Sequence, residues 1–263
     1  MKSWKKRALA LTMAALVVLS GCTFPFGQGN DGDGAPVDNV DVSDAYFGLA
    51  WYRSGTTLNP VMDGTEVNSM LREALYEGLF EIKNDFTLEN ELCEDYTSDG
   101  TAFSFTIKKG IKFWSGAELT ASDVAESLKT VLENESSPYH NRLTEVSSIE
   151  AVTKRMVRIT LASPNVNFPK LLDIPIYRAG TTDEGEFAEG TGPYKPVQNG
   201  AAWTLEANEN WHGGFLGTIR HITLVKMTRA DAADTSFRTG DVSIMRSARI
   251  APDDQNIAFT GEV

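Results

Sequence analysis

The chain has 263 residues and a mass of 28.8 kDa, with 24 lysines and arginines against 36 aspartates and glutamates. The formal charge of −12 and the pI of about 4.8 argue against a nucleic-acid-binding protein, which needs a basic surface. A mean hydropathy of −0.23 excludes a polytopic membrane protein, and two cysteines exclude a disulfide-rich scaffold.

The amino terminus has the pattern of an export signal. Four bases within residues 2–7 precede an uninterrupted apolar run, which ends in the sequence LSGC at 19–22. This order is typical of a secretory signal peptide, and the run is short for a permanent membrane helix. LSGC resembles the lipobox of bacterial lipoproteins, which implies cleavage after residue 21 and acylation of Cys22 as a lipid anchor. The alternative is an ordinary signal peptide that is cut nearby.

Residues 22–44 are predicted to form a disordered acidic tether, because they are rich in Gly, Asp, Asn and Pro and contain no base. Loss of the signal peptide, residues 1–21, removes four bases and no acid, so the exported chain would carry −16. Cys93 would then be the remaining free thiol. We expect a small buried apolar residue there, with a reactive nucleophile as the alternative.

The first half of the remaining chain contains signals for both strands and helices. The apolar run at 45–51 predicts a buried strand, and apolar residues at helical spacing predict a helix that starts at Thr65 and stops at Gly78. Further on, a second helix is expected to begin at Thr120, with Asp123 three residues later as its capping partner.

The second half continues the alternation of strands and helices. Apolar residues alternate with polar ones at 156–161, as they do earlier at 103–107, which predicts strands with one buried face. A helical stretch is predicted near 230–238. Alternating strands and helices indicate a layered α/β or α+β domain and not a helical bundle.

The chain resembles the extracellular solute-binding proteins of peptide-type ABC importers, known as family 5. Each matching segment is short, but seven follow one another in the same order along residues 45–245. The segments are TLNP at 57–60, YEGLF at 76–80, FSFTIKKGIKF at 103–113, SGAELTASDV at 115–124, GTGPY at 190–194, WTLEANENW at 203–211 and FRTGDV at 237–242.

The resemblance implies an α/β fold of the periplasmic-binding-protein-like class II. In this family two lobes close on a ligand, and the chain enters the second lobe soon after a segment like FRTGDV. We therefore expect residues 45–263 to form the first lobe only, a mixed sheet flanked by helices. A β-rich subdomain is expected to be inserted at about 61–165, and the second lobe is expected to be missing.

The resemblance also implies a function. The chain would be a substrate-binding lipoprotein that captures peptides or similar solutes and delivers them to an ABC permease and ATPase complex. It would face the extracellular side or the periplasm and touch the membrane through its lipid alone. Neither an enzymatic activity, a cofactor, a metal nor nucleic acid is expected.

Two segments are candidates for ligand binding. The residues at the end of the first strand are expected at the carboxyl edge of the sheet, where open α/β sheets form a crevice. The GTGPY segment is placed near the ligand cleft by the resemblance. The candidate residues are Trp51, Tyr52, Arg53, Ser54, Gly55, Thr56, Thr191, Gly192 and Tyr194. The alternative for Trp51 and Tyr194 is ordinary core packing.

Catalytic motifs give little support for an enzyme. The three histidines have no metal-ligand spacing, and neither a nucleophile elbow nor a phosphate-binding loop is present in the sequence. Two other functions stay open: a signalling or adhesion lipoprotein that reuses the lobe, and an exported hydrolase with an acid pair. The ligand itself is not predicted.

Overall fold

The computed structural model describes residues 46–51, 57–181, 187–227 and 230–244. The predicted signal peptide, the predicted tether with Cys22, and the candidate ligand residues 52–56 lie outside these residues. The ten strands in the described residues are β1 (Gly48–Trp51), β2 (Phe80–Ile82), β3 (Leu88–Asn90), β4 (Cys93–Ser98), β5 (Ala102–Ile107), β6 (Val146–Thr153), β7 (Met156–Leu161), β8 (Tyr194–Asn199), β9 (Ala202–Ala207) and β10 (His221–Lys226).

The α-helices in the same residues are α1 (Glu66–Leu75), α2 (Ala121–Glu133) and α3 (Ala230–Thr239). Two short 3-10 helices lie at His140–Arg142 and Phe168–Leu171. Strands and helices alternate as the sequence predicted, and the three predicted helices are confirmed within a few residues at their ends.

A mixed sheet is built from the two ends of the described chain. Its strand order is β1-β10-β9-β8, with β1 parallel to β10 and the other pairs antiparallel. On the free side of β1, Leu49 forms a parallel bridge with Ile244. Strand β1 therefore has neighbours on both sides, which suits its apolar sequence because the strand is buried at Ala50 and Trp51.

A second sheet is antiparallel, with the strand order β4-β5-β7-β6. Strand β5 illustrates how one face of this sheet is buried. Phe103, Phe105 and Ile107 are buried, while the residues between them face outward. Helix α2 packs on β6 and β7 from the buried side. This sheet lies wholly inside the predicted subdomain at 61–165, although the boundaries of that subdomain stay a prediction.

The start of α2 confirms the predicted capping pair. One carboxylate oxygen of Asp123, Oδ2, accepts hydrogen bonds from the Thr120 backbone N–H at 2.9 Å and from the Thr120 hydroxyl at 2.6 Å. The other, Oδ1, accepts the Ala179 N–H at 3.0 Å. Asp123 thus fixes the helix start and ties it to a distant loop.

The end of α1 differs from the prediction. The helix begins after Thr65, but it ends at Leu75, and the N–H of Tyr76 closes its last turn on the Arg72 carbonyl. The prediction that Gly78 stops the helix is wrong. Gly78 instead lies where the backbone passes close to another segment: a Cβ there would be 3.2 Å from the Ile174 nitrogen.

Most of the buried side chains form one apolar cluster that joins both sheets to α1 and α2, with Leu205, Phe105, Leu71 and Leu128 as members. Cys93 belongs to it and is fully buried, as predicted, and burial raises the pKa of its thiol to about 12. The thiol is therefore protonated at neutral pH and is not an activated nucleophile. A smaller cluster beneath α3 contains Ala50, Met227, Ala233 and Val242.

Candidate functional site

The carboxyl edge of the mixed sheet is the first part of the candidate site. Strands β1 and β10 run parallel and finish side by side at Trp51 and Lys226. The N–H of Met227 donates to the Trp51 carbonyl at 2.8 Å, so the pairing continues to the last described residue of each segment. Ligands of open α/β sheets bind beyond such carboxyl ends.

Trp51 is buried at this edge, with 3% of its surface exposed, and it packs into the large apolar cluster. Its indole Nε1 is buried and has no hydrogen-bond partner in the part of the chain that the structure describes. An unpaired buried N–H is costly, and a ligand or a water molecule at the edge would relieve that cost. The predicted ligand residues that follow, Tyr52, Arg53, Ser54, Gly55 and Thr56, lie outside the described residues.

The GTGPY segment at 190–194 lies against the end of α1. The N–H of Gly192 donates to the Leu75 carbonyl at 3.0 Å. A Cβ on Gly192 would lie 2.6 Å from the Leu75 carbonyl carbon, and one on Gly190 would lie 2.0 Å from the Leu75 oxygen. These glycines are therefore required by a close approach of two backbones.

Thr191 and Tyr194 differ in whether their polar atoms are free to bind. Thr191 is fully buried, and its Oγ1 has no hydrogen-bond partner among the described residues. The Tyr194 hydroxyl donates to the Ile219 carbonyl at 2.7 Å, and its ring meets that of Phe215 edge-on at 5.2 Å. Burial also raises the pKa of Tyr194, so its phenol is a neutral structural donor.

The structure does not bring Trp51 and Tyr194 together. Tyr194 pairs with Ala207 on β9, level with the start of β10, whereas Trp51 pairs with Lys226 at the end of β10. Strands β1 and β8 have two strands between them, so the two residues are roughly 14 Å apart across the sheet and about 20 Å apart along it. The candidate residues on the described chain thus belong to two separate places.

A buried acid at the end of α1 was not among the predicted site residues. One oxygen of Glu77, Oε1, accepts the Trp211 Nε1–H at 3.0 Å and lies 2.8 Å from His212 Nε2. In the same turn, the Asn208 side chain donates to the Gly192 carbonyl at 2.8 Å. Glu77 therefore helps to hold the turn that supports the GTGPY segment.

The sequence does contain a signal for this acid. Glu77 is the only charged residue in the run YEGLF, and its neighbours Tyr76, Leu79 and Phe80 are all buried. A charged residue inside an apolar run is buried only when it is paired. Its partners come from residues 211 and 212, far along the chain, so the pairing itself is not visible in the sequence.

The rest of the described residues was compared with the needs of a metal site, a cavity and a membrane-spanning helix. None of their His, Cys, Asp and Glu side chains form a group of three or more that could hold a metal ion. A shallow groove of about 460 Å³ crosses the outer face of the second sheet, lined by Thr97, Ser98, Asp99, Ala102, Ser104, Arg158 and Thr160. Among the described helices, none is long and apolar enough to cross a membrane.

Residues 87–261 match the family model of the bacterial extracellular solute-binding proteins, family 5 Middle. The chain belongs to family 5. The resemblance inferred from the seven segments is thereby confirmed. The glutathione-binding protein GsiB of Escherichia coli K12 is 30% identical over 155 residues, which cover 53% of this chain and 30% of that protein. GsiB of Salmonella typhi is 30% identical over 156 residues, with the same coverage.

Solved structures support the fold of this family 5 chain. The oligopeptide-binding protein AppA of Bacillus subtilis, in complex with a nonapeptide, aligns with a TM-score of 0.62 at 22% identity, over 75% of this chain and 43% of AppA. MoaA of A. tumefacien R10, in complex with mannopinic acid, aligns with a TM-score of 0.64 at 22% identity, over 77% of this chain and 45% of MoaA. The predicted periplasmic-binding-protein-like fold is confirmed, and the matched share is consistent with a single lobe.

Proposed function

We propose that this family 5 chain forms the first lobe of a substrate-binding lipoprotein, which captures peptides or similar solutes for an ABC permease and ATPase complex. The observation that carries the proposal is the family match over residues 87–261. A ligand would be enclosed between this lobe and a second one, and closure would shift the population toward the transport-competent form. The proposal includes no covalent chemistry.

A short peptide is the first ligand class to test. The curated relatives are named for binding glutathione, which is a tripeptide, and AppA was solved with a nonapeptide. Another structural neighbour, NikZ of Campylobacter jejuni, was solved with Ni(L-His) and aligns with a TM-score of 0.60 at 19% identity, over 75% of this chain and 42% of NikZ. Peptides and metal chelates are therefore the two classes to compare.

The ligand would bind at the carboxyl edge of the mixed sheet. The Trp51 Nε1–H supports this assignment, because it is a buried donor with no hydrogen-bond partner among the described residues. The residues proposed to join it at this edge are Tyr52, Arg53, Ser54, Gly55 and Thr56. Thr191, Gly192 and Tyr194 are proposed as a second, separate part of the ligand site, because Tyr194 is level with the start of β10 and not with its end. The Tyr194 hydroxyl already bonds to Ile219, so Tyr194 would contribute through its ring or through the position of its segment.

Thermal denaturation of the full chain with added solutes tests the proposal. The solutes are glutathione, mixed di- and tripeptides, longer peptides and the Ni–histidine chelate, and one class is expected to raise the unfolding midpoint. Trp51→Phe removes the indole donor while keeping an aromatic ring, so we expect affinity to fall about 2- to 10-fold. Trp203→Phe, which changes another buried indole, is the matched control and should bind normally. A flat response to every class would contradict the proposal.

The lipid anchor is part of the same proposal. In cells that process lipoproteins, the chain should incorporate labelled fatty acid and fractionate with membranes. Cys22→Ser removes the acceptor thiol, so we expect both the label and the membrane association to be lost. Cys93→Ser is the matched control, because that thiol is buried and protonated. A parent chain without label would point to an ordinary signal peptide, and label retained in Cys22→Ser would place the acyl group on another residue; either result would contradict the proposed anchor.

A further inference from the structure

The hairpin between β2 and β3 presents an aromatic side chain to solvent at its tip. Phe86 is 78% exposed, although phenylalanine is among the residue types most often buried in folded proteins. At the base of the hairpin, Phe80 is fully buried and Leu88 packs against the large apolar cluster. The hairpin is therefore anchored in the core, while the ring at its tip is left outside the core.

The backbone at Phe86 is strained. Its φ is +64°, and among the described residues it is the only one other than glycine with a positive φ. Hairpin turns that end in a left-handed residue usually have glycine there, because a Cβ makes this conformation unfavourable. A bulky side chain at such a position is an outlier that needs an explanation.

The rest of the turn holds Phe86 in this conformation. The Phe86 N–H donates to the Lys83 carbonyl at 2.8 Å, and the Lys83 N–H donates to the Thr87 carbonyl at 3.0 Å. Asp85 Oδ1 accepts the Thr87 N–H at 3.0 Å and the Thr87 hydroxyl at 2.7 Å. Strained residues persist only where their surroundings fix them, and they are concentrated at functional sites.

The charges around the tip are mainly acidic. Glu81 and Glu89 lie directly opposite each other on the two strands. Lys83 Nζ bridges them, at 2.6 Å from Glu81 Oε2 and 3.2 Å from Glu89 Oε2. Asp85 is a third, exposed acid, so residues 80–90 carry one base against three acids. Such a tip is repelled by an anionic bilayer and by a second copy of this acidic chain, and it is attracted to a basic surface.

We propose that Phe86 is the anchor of a protein-binding surface, formed by the tip at 83–87 together with Glu81 and Glu89. The partner would be a different protein, with an apolar pocket for the ring and lysines or arginines around that pocket. A buried aromatic anchor with a polar rim is the usual arrangement of a protein–protein contact.

The strain at Phe86 has a role in this surface. A backbone that is fixed before binding lowers the entropy cost of the contact, and the side chain that causes the strain is the one that the partner would bury. The surface shares no residue with the proposed solute site, so it does not depend on which solute the chain binds.

Thermal unfolding of the full chain separates strain from packing. Phe86→Gly relieves the left-handed strain, so the unfolding midpoint should rise by about 2 °C. Val166→Gly is the matched control: it also removes an exposed apolar side chain, but from a residue without a positive φ, so its midpoint should fall. A lower midpoint in Phe86→Gly would mean that the fold itself needs the ring, and it would overturn the proposal.

Photo-crosslinking tests the partner. The full chain carries benzoyl-phenylalanine in place of Phe86, is irradiated in the cells that naturally make it, and its adducts are identified by mass spectrometry. We expect an adduct with one other protein, at an apolar segment bordered by bases, and none when the probe replaces the exposed Val166. Glu89→Lys in the probe chain should lower the adduct yield about tenfold, whereas Glu133→Lys, at an exposed acid on α2, should not.

The other outcomes count against the proposal. An adduct with lipid, or with a second copy of this chain, would assign the ring to a different contact. Equal adducts from positions 86 and 166, or none from position 86, would show that the tip has no specific partner. A yield that Glu89→Lys leaves unchanged would show that the acidic rim is not recognised. Each of these results would overturn the proposed surface.

Discussion

At the scale of single residues, several buried polar atoms have no hydrogen-bond partner in the part of the chain that the structure describes. Trp51 Nε1 and Thr191 Oγ1 are two such atoms, and both belong to segments for which the sequence predicted ligand contacts. Tyr194 comes from the same prediction but already has a backbone acceptor. A buried polar atom without a partner lowers the stability of the ligand-free protein, and a bound molecule could form the missing hydrogen bond.

Thr191→Val tests this reasoning at a single atom. The substitution removes the buried hydroxyl while keeping a similar shape, so we expect the ligand-free chain to gain about 1 kcal/mol in its free energy of unfolding. Chemical denaturation measures the change. Thr130→Val is the matched control, because the Thr130 hydroxyl lies 2.8 Å from the Tyr177 hydroxyl, and its removal should destabilise the chain. A loss of stability in Thr191→Val would mean that its hydroxyl has a partner.

At the scale of elements, the contact between α1 and the GTGPY segment organises the lobe. Helix α1 ends at Leu75, and the carbonyl of that residue is the acceptor for Gly192. The turn after β9 adds Asn208 on the Gly192 carbonyl and Trp211 on Glu77. Three stretches that are distant in sequence are thus joined, and the backbone contact between Gly192 and Leu75 leaves no room for a side chain at residue 192.

Gly192→Ala should separate the backbones at this contact. The added Cβ would lie 2.6 Å from the Leu75 carbonyl carbon and 2.8 Å from the Ala74 oxygen, both of which are backbone atoms. We expect a loss of about 2–4 kcal/mol in the free energy of unfolding, measured by urea denaturation. Gly200→Ala is the control, since that glycine has a φ of +63° but open space around it. Gly200→Ala should lose about 1 kcal/mol in its free energy of unfolding, from backbone strain alone. Equal losses in Gly192→Ala and Gly200→Ala would contradict the steric argument.

At the scale of the whole described chain, the two apolar clusters predict unequal stability. The large cluster joins both sheets with α1 and α2, while the cluster beneath α3 has four buried residues. Parts of a protein with few buried apolar contacts open at lower free energy than the main core. Helix α3 leads into Ile244, which pairs with β1, so its opening would also expose that side of the mixed sheet.

Amide hydrogen exchange followed by mass spectrometry tests this difference. Helices α1 and α3 each have ten residues, which makes them a matched pair. We expect α3 to exchange roughly tenfold faster than α1, because α1 is anchored by Val67, Leu71 and Leu75 in the large cluster. Equal protection of the two helices would show that they unfold as one cooperative unit.

Local patterns in the sequence were enough for the three helices, for strands β1, β5 and β7, and for the family. Alternation at Phe103, Phe105 and Ile107 predicted β5 and its buried face, and the Thr120–Asp123 pair predicted the start of α2. Each of these features depends on neighbours within a few residues, so the chain order itself carries the information. The prediction at Gly78 was wrong because a glycine in the sequence is equally consistent with a helix end and with the close approach of a distant segment, here the one at Ile174.

The tertiary structure alone decided which of these elements meet. The strand order placed Trp51 and Tyr194 at opposite ends of the mixed sheet, although both came from predicted ligand segments. It also brought Glu91, Trp211 and His212 to Glu77 or to its neighbour Gly78. Sequence by itself determined the export signal pattern, the helices, some of the strands, the buried Cys93 and the family. Long-range pairing determined which candidate residues lie near one another. Contacts such as Gly192 with Leu75 and Trp211 with Glu77 join residues more than a hundred positions apart, so they leave no local periodicity to read.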